Sequence, residues 1–127
     1  MTDRAGRMVI RQFDDCREFL AGDHTLLREL LRPAPGSVDA RYSLAQGRLE
    51  PGATSKRHVL TASEVYYFLA GEGRMHVGGE SAPVRKGTVV AVPPGAEQWV
   101  RNTGAGALEF LCLVDPAWTP ECERILE

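Results

Sequence analysis

His58 stands six residues ahead of Glu64, with Leu60 between them. An imidazole and a carboxylate at the start of a strand-like run make half of a metal-ligand set, or a pair able to pass a proton. Behind Glu64 runs the apolar stretch Val65-Tyr66-Tyr67-Phe68-Leu69. A carboxylate facing inward from such a run needs a partner, and His58 is the natural one. Side chains of a strand repeat every second residue, so an inward Glu64 brings Tyr66 and Phe68 with it and leaves Tyr67 outside. A tight turn over residues 70–73 would pair Phe68 with Met75 and Tyr66 with Val77, setting Tyr67 against His76 on the outer face. By the same parity Gln98, Val100 and Asn102 share one face, and Trp99 and Arg101 the other. Glu64 and Tyr66 are thus the candidate catalytic groups, with Phe68, Met75 and Gln98 as candidate substrate contacts.

The elements that must position these groups are short. From Asp39 onward, strand-like runs ("ARYSLAQGRLE", "EVYYFLA", "GRMHVG", "GTVVAVP", "EQWVRN", "ALEFLCLVD") alternate with turn chemistry such as "EPGA", "AGEG", "VGGE", "PPGA" and "NTGAG". Evenly spaced short strands cut by Gly, Pro and Asn indicate an all-β sandwich or barrel. Ahead of them, residues 8–11 read as a strand and "DDCREFLAGD" as a helical turn stopped at Gly22. "HTLLRELLRP" fits a helix by composition and a strand equally well. The tail "PAWTPECERILE" reads as a short helix or an arm. With no repeat or linker, one domain over residues 1–127 is expected, with a core barrel over about 40–117 and an N-terminal arm over 1–38.

Two segments carry a fixed pattern. The first is Gly52, five residues, His58, Leu60, Glu64, six residues, Gly71; the second is Gly87, five residues, Pro93, Gly95, Gln98, Asn102. These resemble the two motifs of the cupin superfamily, G-x5-H-x-H-x3,4-E-x6-G and G-x5-P-x-G-x2-H-x3-N, and the chain is similar to small single-domain cupins over about residues 40–117. The glycines, the proline, the first histidine, the glutamate and the asparagine match in register. The resemblance implies a jelly-roll β-barrel (a double-stranded β-helix), here with a short N-terminal α/β arm and a short C-terminal helix or tail. It also implies a metal held inside by three histidines and the glutamate. Leu60 and Gln98 replace two of those histidines, which leaves His58, Glu64 and the amide oxygen of Gln98 as the implied ligands. One nitrogen and two oxygens would hold a divalent transition metal (Mn, Fe, Ni or Zn) loosely and discriminate poorly among them.

Composition excludes several classes. The 127 residues carry a net charge of −2 and are 43% hydrophobic, which offers no basic field for nucleic acid or an anionic membrane. Runs such as "VVAV" and "FLCLV" are too short to cross a bilayer. Three cysteines without C-x-x-C spacing (Cys16, Cys112, Cys122) read as reduced thiols, hence a cytoplasmic setting. Exposed sheet edges and outward aromatics (Tyr67, Trp99) predict a homodimer, and a small-molecule ligand or substrate is the expected partner. Three functions stay open. One is a metalloenzyme of dioxygenase or isomerase type acting on a small oxygen-rich substrate. The second is a metal-free binding or sensor module, and the third is an acid–base isomerase built on His58 and Glu64.

Overall fold

The computed structural model describes Gly6, residues 8–33 and residues 38–127; the expected arm, 1–38, therefore lies partly outside the described residues. The chain begins with β1 (Phe19–Leu20), β2 (Leu26–Leu31), β3 (Ser43–Leu49) and β4 (His58–Leu60). It continues through β5 (Ser63–Ala70), β6 (Glu72–Val77), β7 (Glu80–Arg85) and β8 (Val89–Val92). Then come β9 (Glu97–Asn102), β10 (Leu108–Asp115) and β11 (Glu123–Ile125). Two antiparallel sheets face each other, in the orders β1-β2-β3-β10-β5-β8 and β11-β4-β9-β6-β7. This is an all-β fold, as the strand spacing predicts, and the jelly roll that the cupin resemblance implies.

The flanks differ from expectation. Among the described residues there is no α-helix, only two 3-10 turns at Phe13–Asp15 and Pro120–Cys122. Residues 8–11 form no strand, and the expected helical turn at "DDCREFLAGD" gives way after Asp15 to β1. "HTLLRELLRP" resolves as the strand β2, because β3 offers it an open edge and a full antiparallel ladder. The tail contributes β11, which hydrogen-bonds to β4 instead of forming a helix. Both ends of the chain thus extend the sheets of the barrel.

A second difference lies between β5 and β6, which do not form the expected hairpin. β5 lies between β10 and β8, whereas β6 lies between β9 and β7. Phe68 is opposite Phe110, and Met75 is opposite Val100 and Ala82. The chain changes sheet at Gly71, whose φ is +87°, and a Cβ there would strike the Ala107 carbonyl. Only glycine fits that passage. Parity along each strand is unaffected by the change of partner: Tyr66, Phe68 and Met75 are buried while Tyr67 is 43% exposed.

Between the sheets Tyr66, Phe68 and Phe110 pack ring on ring, with centroids 5.4–6.0 Å apart. Gly47, opposite Phe110 across the β3–β10 pair, leaves room for that ring, which a Cβ would strike. Leu49, Met75, Val100 and Leu108 complete the core. Asn102 closes the barrel end by donating from its amide nitrogen to the carbonyls of Leu49 (3.0 Å) and Gly106 (2.8 Å) while its Oδ1 accepts from Gly104 N. His76 stacks on Trp99 at 3.5 Å away from this core, next to Arg74 and Arg101.

The outer face of the six-stranded sheet is apolar where β5, β8 and β10 meet. Tyr67 sits between Leu111 and Val89, and Val65 between Leu113 and Ala91. Val89 is 61% exposed and Leu113 38%. A homodimer packed through this face is the expected way of removing it from water. Light scattering should report twice the single-chain mass of 13.9 kDa, and Tyr67→Lys combined with Leu113→Lys should halve it. A wild-type protein that stays at the single-chain mass at every concentration overturns the expectation.

Candidate functional site

His58 opens β4 and is buried. Its Nδ1 lies 2.7 Å from the Lys56 carbonyl oxygen. A carbonyl only accepts, so Nδ1 carries a hydrogen, and in the neutral ring Nε2 presents its lone pair. That lone pair faces Asp23, whose Oδ2 lies 3.7 Å away, too far for a hydrogen bond. Asp23 sits in the turn between β1 and β2. Its Oδ1 accepts from the Thr25 amide at 3.0 Å and its carbonyl from the Lys56 amide at 2.7 Å. From the other side β11 brings in Glu123, placed by the pairing of Glu123 with Leu60 and of Ile125 with His58. One donor atom each from Asp23, His58 and Glu123 lie within 4.8 Å of one another.

The electrostatics follow from this crowding. Burial raises the pKa of the Glu123 carboxyl, and the charge of Asp23 raises it further, against the pull of His58. Glu64, 7% exposed, is pushed up to about 7, mainly by burial, while His58 and the nearby Gln98 and Cys112 side chains oppose the rise. Neither of those two neighbours offers Glu64 Oε1 a hydrogen bond of normal geometry, and that oxygen has no partner among the described residues. Burial holds the Tyr66 phenol and the Cys112 thiol well above their ordinary values, so both stay protonated.

A cavity of about 380 Å³ opens beside this cluster. Asp23, His58, Glu64, Tyr66, Cys112 and Glu123 contribute to its polar wall together with Thr25, Glu29, Arg32 and Ser43, and Phe19, Leu27, Leu31, Phe110, Val114 and Trp118 form much of the rest. Of the sequence-predicted site residues, His58, Glu64 and Tyr66 reach this cavity. Phe68, Met75 and Gln98 are buried in the core and form no part of its wall. The Gln98 amide oxygen accepts from the Tyr66 hydroxyl at 2.5 Å. Leu60 packs against Ala62, Val114, Trp118 and Cys122. The group of donor atoms gathered around His58 thus draws on Asp23 and Glu123, which the sequence reading did not name; Glu64 is not in that group, and the Gln98 amide oxygen is bonded to Tyr66.

Those two carboxylates come from outside both motifs, one from a turn and one from the tail. No spacing rule links them to His58. The turn-forming Gly22-Asp23 pair is the single local sign that Asp23 is held in place.

The pattern of strands and the position of His58, Glu64 and Asn102 agree with a comparison of families: the cupin domain (Cupin_2) matches residues 46–114. The chain is a cupin. An uncharacterized protein of Methanocaldococcus jannaschii is 30% identical over 122 residues, covering 95% of this chain and 97% of that protein. An oxalate-binding protein of Thermotoga maritima is 35% identical over 71 residues, 55% of this chain and 59% of that protein. Among solved structures, a variant of a Streptomyces nucleoside dehydratase with uridine superposes with a TM-score of 0.76 at 20% identity, covering 94% of this chain and 91% of that one. At that identity the likeness is one of fold.

In this cupin the three-residue cluster is a candidate metal site, and its donor chemistry fits a divalent cation. Two carboxylates that repel each other and an imidazole whose Nε2 is turned toward them gain from a shared positive charge. The Lys56 carbonyl on Nδ1 is the usual way a ligating histidine is oriented.

Glu64 gives a prediction that needs no metal. Its ordinary value is 4.5 and its value in the fold about 7, so the folded chain holds that proton more tightly. The resulting stability is complete below the ordinary value and is lost as pH rises through about 7, a change of roughly 3 kcal/mol. In chelator-treated protein, Glu64→Gln should melt several degrees above wild type at about pH 8 and close to it at about pH 5. Parallel melting curves for the two proteins across that range would contradict the assignment.

Proposed function

We propose that this cupin binds a divalent metal through Asp23, His58 and Glu123 and holds a small organic molecule against it in the adjoining cavity. The observation that carries the reading is the convergence of His58 Nε2 and two carboxylates, with the histidine tautomer set by Lys56. One nitrogen and two oxygens suit Mn, Fe, Ni or Zn. Such an ion, when bound, would act as a Lewis acid on a substrate oxygen or nitrogen. The residues of the chain do the rest. Asp23 and Glu123 offset the charge of the ion, Tyr66 holds Gln98 in the barrel wall, and the apolar wall excludes water from the reacting group. Glu64, raised to about 7, is able to hold or release a proton at its carboxyl oxygen near neutral pH.

The arrangement fits a metal-dependent isomerase, lyase or oxygenase better than a passive carrier, because a proton-transfer group stands beside the metal ligands. The Thermotoga maritima relative is named for oxalate and the Streptomyces structure contains uridine, which supports a small ligand in this cavity. A second reading, an acid–base isomerase without metal, rests on Glu64 and its neighbour His58 alone.

Titration calorimetry of chelator-treated, tag-free protein with Mn(II), Ni(II) and Zn(II) separates the two. One site per chain is expected. Asp23→Asn or Glu123→Gln should weaken it about tenfold or more, and His58→Ala should abolish it. Affinity should fall as pH falls, because the imidazole and both carboxylates must shed protons to ligate. If wild type binds no ion while the Leu60→His, Gln98→His double variant does, the acid–base reading replaces this one.

A further inference from the structure

The cavity holds more than the metal cluster needs, and its wall has a distinct chemistry. Besides Asp23 and Glu123, two further carboxylates line it, Glu29 and Glu64. The one guanidinium that the described residues bring to it, Arg32, is already engaged: it lies 3.5 Å from Glu29 and over the Trp118 ring at 5.5 Å. Arg41, ahead of β3, is paired with Asp115, and Arg48, within β3, with Glu18 and Glu50; neither forms part of the wall. Among the described residues, a small dicarboxylate entering the cavity would meet four acids and no unengaged guanidinium. A metal bound by Asp23 and Glu123 would have its charge offset by them, so it would add little net attraction.

Much of the remaining surface is apolar, and Glu64 is buried on it with an oxygen that finds no donor among the described residues. A buried acceptor left unmatched costs stability unless an occupant supplies the hydrogen bond. We infer that the natural occupant is an organic molecule with an apolar, ring-sized body and a neutral or cationic hydrogen-bond donor, a hydroxyl or an amine, which meets the Glu64 carboxyl. The inference rests on the reading that a small molecule occupies this cavity, and it stands without the metal. It departs from the small oxygen-rich substrate expected from sequence.

The probes are 2-naphthol, its methyl ether and 2-naphthoate, which share one body and differ in the polar group; oxalate is the fourth arm. Each is titrated into chelator-treated protein near neutral pH, where 2-naphthol is neutral and the other acids are anions. 2-Naphthol should bind at one site, with the ether and the naphthoate weaker by about tenfold or more and oxalate silent. Glu64→Leu should remove the preference for the naphthol over its ether. Ala45→Phe, which fills the cavity from its β3 wall, should weaken naphthol binding and leaves the Glu64 carboxyl in place. Naphthoate or oxalate binding more tightly than naphthol overturns the inference, as do equal affinities for naphthol and ether or no naphthol binding at all. Because no metal is present, a failure of cation binding in the separate titration removes the metal reading and leaves this result intact.

Discussion

The site depends on the backbone of a single residue, Lys56. Its amide donates to the Asp23 carbonyl and its carbonyl accepts from His58 Nδ1, each at 2.7 Å. The first bond fastens the β1–β2 turn to the entry of β4, and the second turns the imidazole lone pair toward that turn. Lys56 itself is held because its neighbour Ser55 is tied twice to Val100 of β9: the Ser55 amide donates to the Val100 carbonyl, and the Ser55 hydroxyl accepts from the Val100 amide, both at 2.9 Å. Ser55 is buried, so these bonds are shielded from competing water, and losing one would leave a buried group unmatched at a cost of about 1–3 kcal/mol. Backbone groups and one serine hydroxyl thus place both Asp23 and His58.

That dependence explains which parts of the site were legible in the sequence. His58, Glu64, Gln98 and Asn102 follow from local spacing and strand parity, because a strand repeats every second residue whatever lies beside it. The inward burial of Tyr66, Phe68 and Met75 survives for the same reason, although the strand pairing expected for them does not. A short turn ending in glycine reads locally as a hairpin, yet Gly71 carries the chain across to the opposite sheet. Whether it does so depends on Ala107 and Leu108, far along the chain. Asp23 and Glu123 were illegible because their approach to His58 is made by long-range backbone pairing, of β2 with β3 and of β11 with β4. Neither pairing leaves a mark on the residues being placed.

The replaced histidines have physical roles in the fold. At the second motif, Gln98 accepts from Tyr66 at 2.5 Å in a fully enclosed setting. The phenol would otherwise be a buried donor without an acceptor. At the first motif, Leu60 joins a small apolar cluster with Ala62, Val114, Trp118 and Cys122, which packs the tail against the barrel. That tail contact is what sets β11 along β4. The loss of an imidazole at Leu60 and the gain of the Glu123 carboxylate beside His58 are therefore two effects of one packing arrangement.

His58 has a strand on each side, and they differ in what they offer. Across the β4–β9 pair its register partner is Gln98, already bonded to Tyr66; across the β4–β11 pair it is Ile125, with Glu123 at the near end of the same strand. Toward the barrel axis the imidazole finds neutral or partly protonated groups, Gln98 and the raised carboxyl of Glu64. Toward the β1–β2 turn it finds two carboxylates. Since Nδ1 is fixed on the Lys56 carbonyl, Nε2 serves the second side. Charged chemistry is thereby displaced from the middle of the barrel to the end where the two chain flanks meet, and the interior left behind is apolar apart from Glu64 and neutral groups such as the Tyr66–Gln98 pair. A site built from flanks varies with the flanks, so chains sharing both motifs and the jelly roll are free to differ in the charge and shape of what they hold.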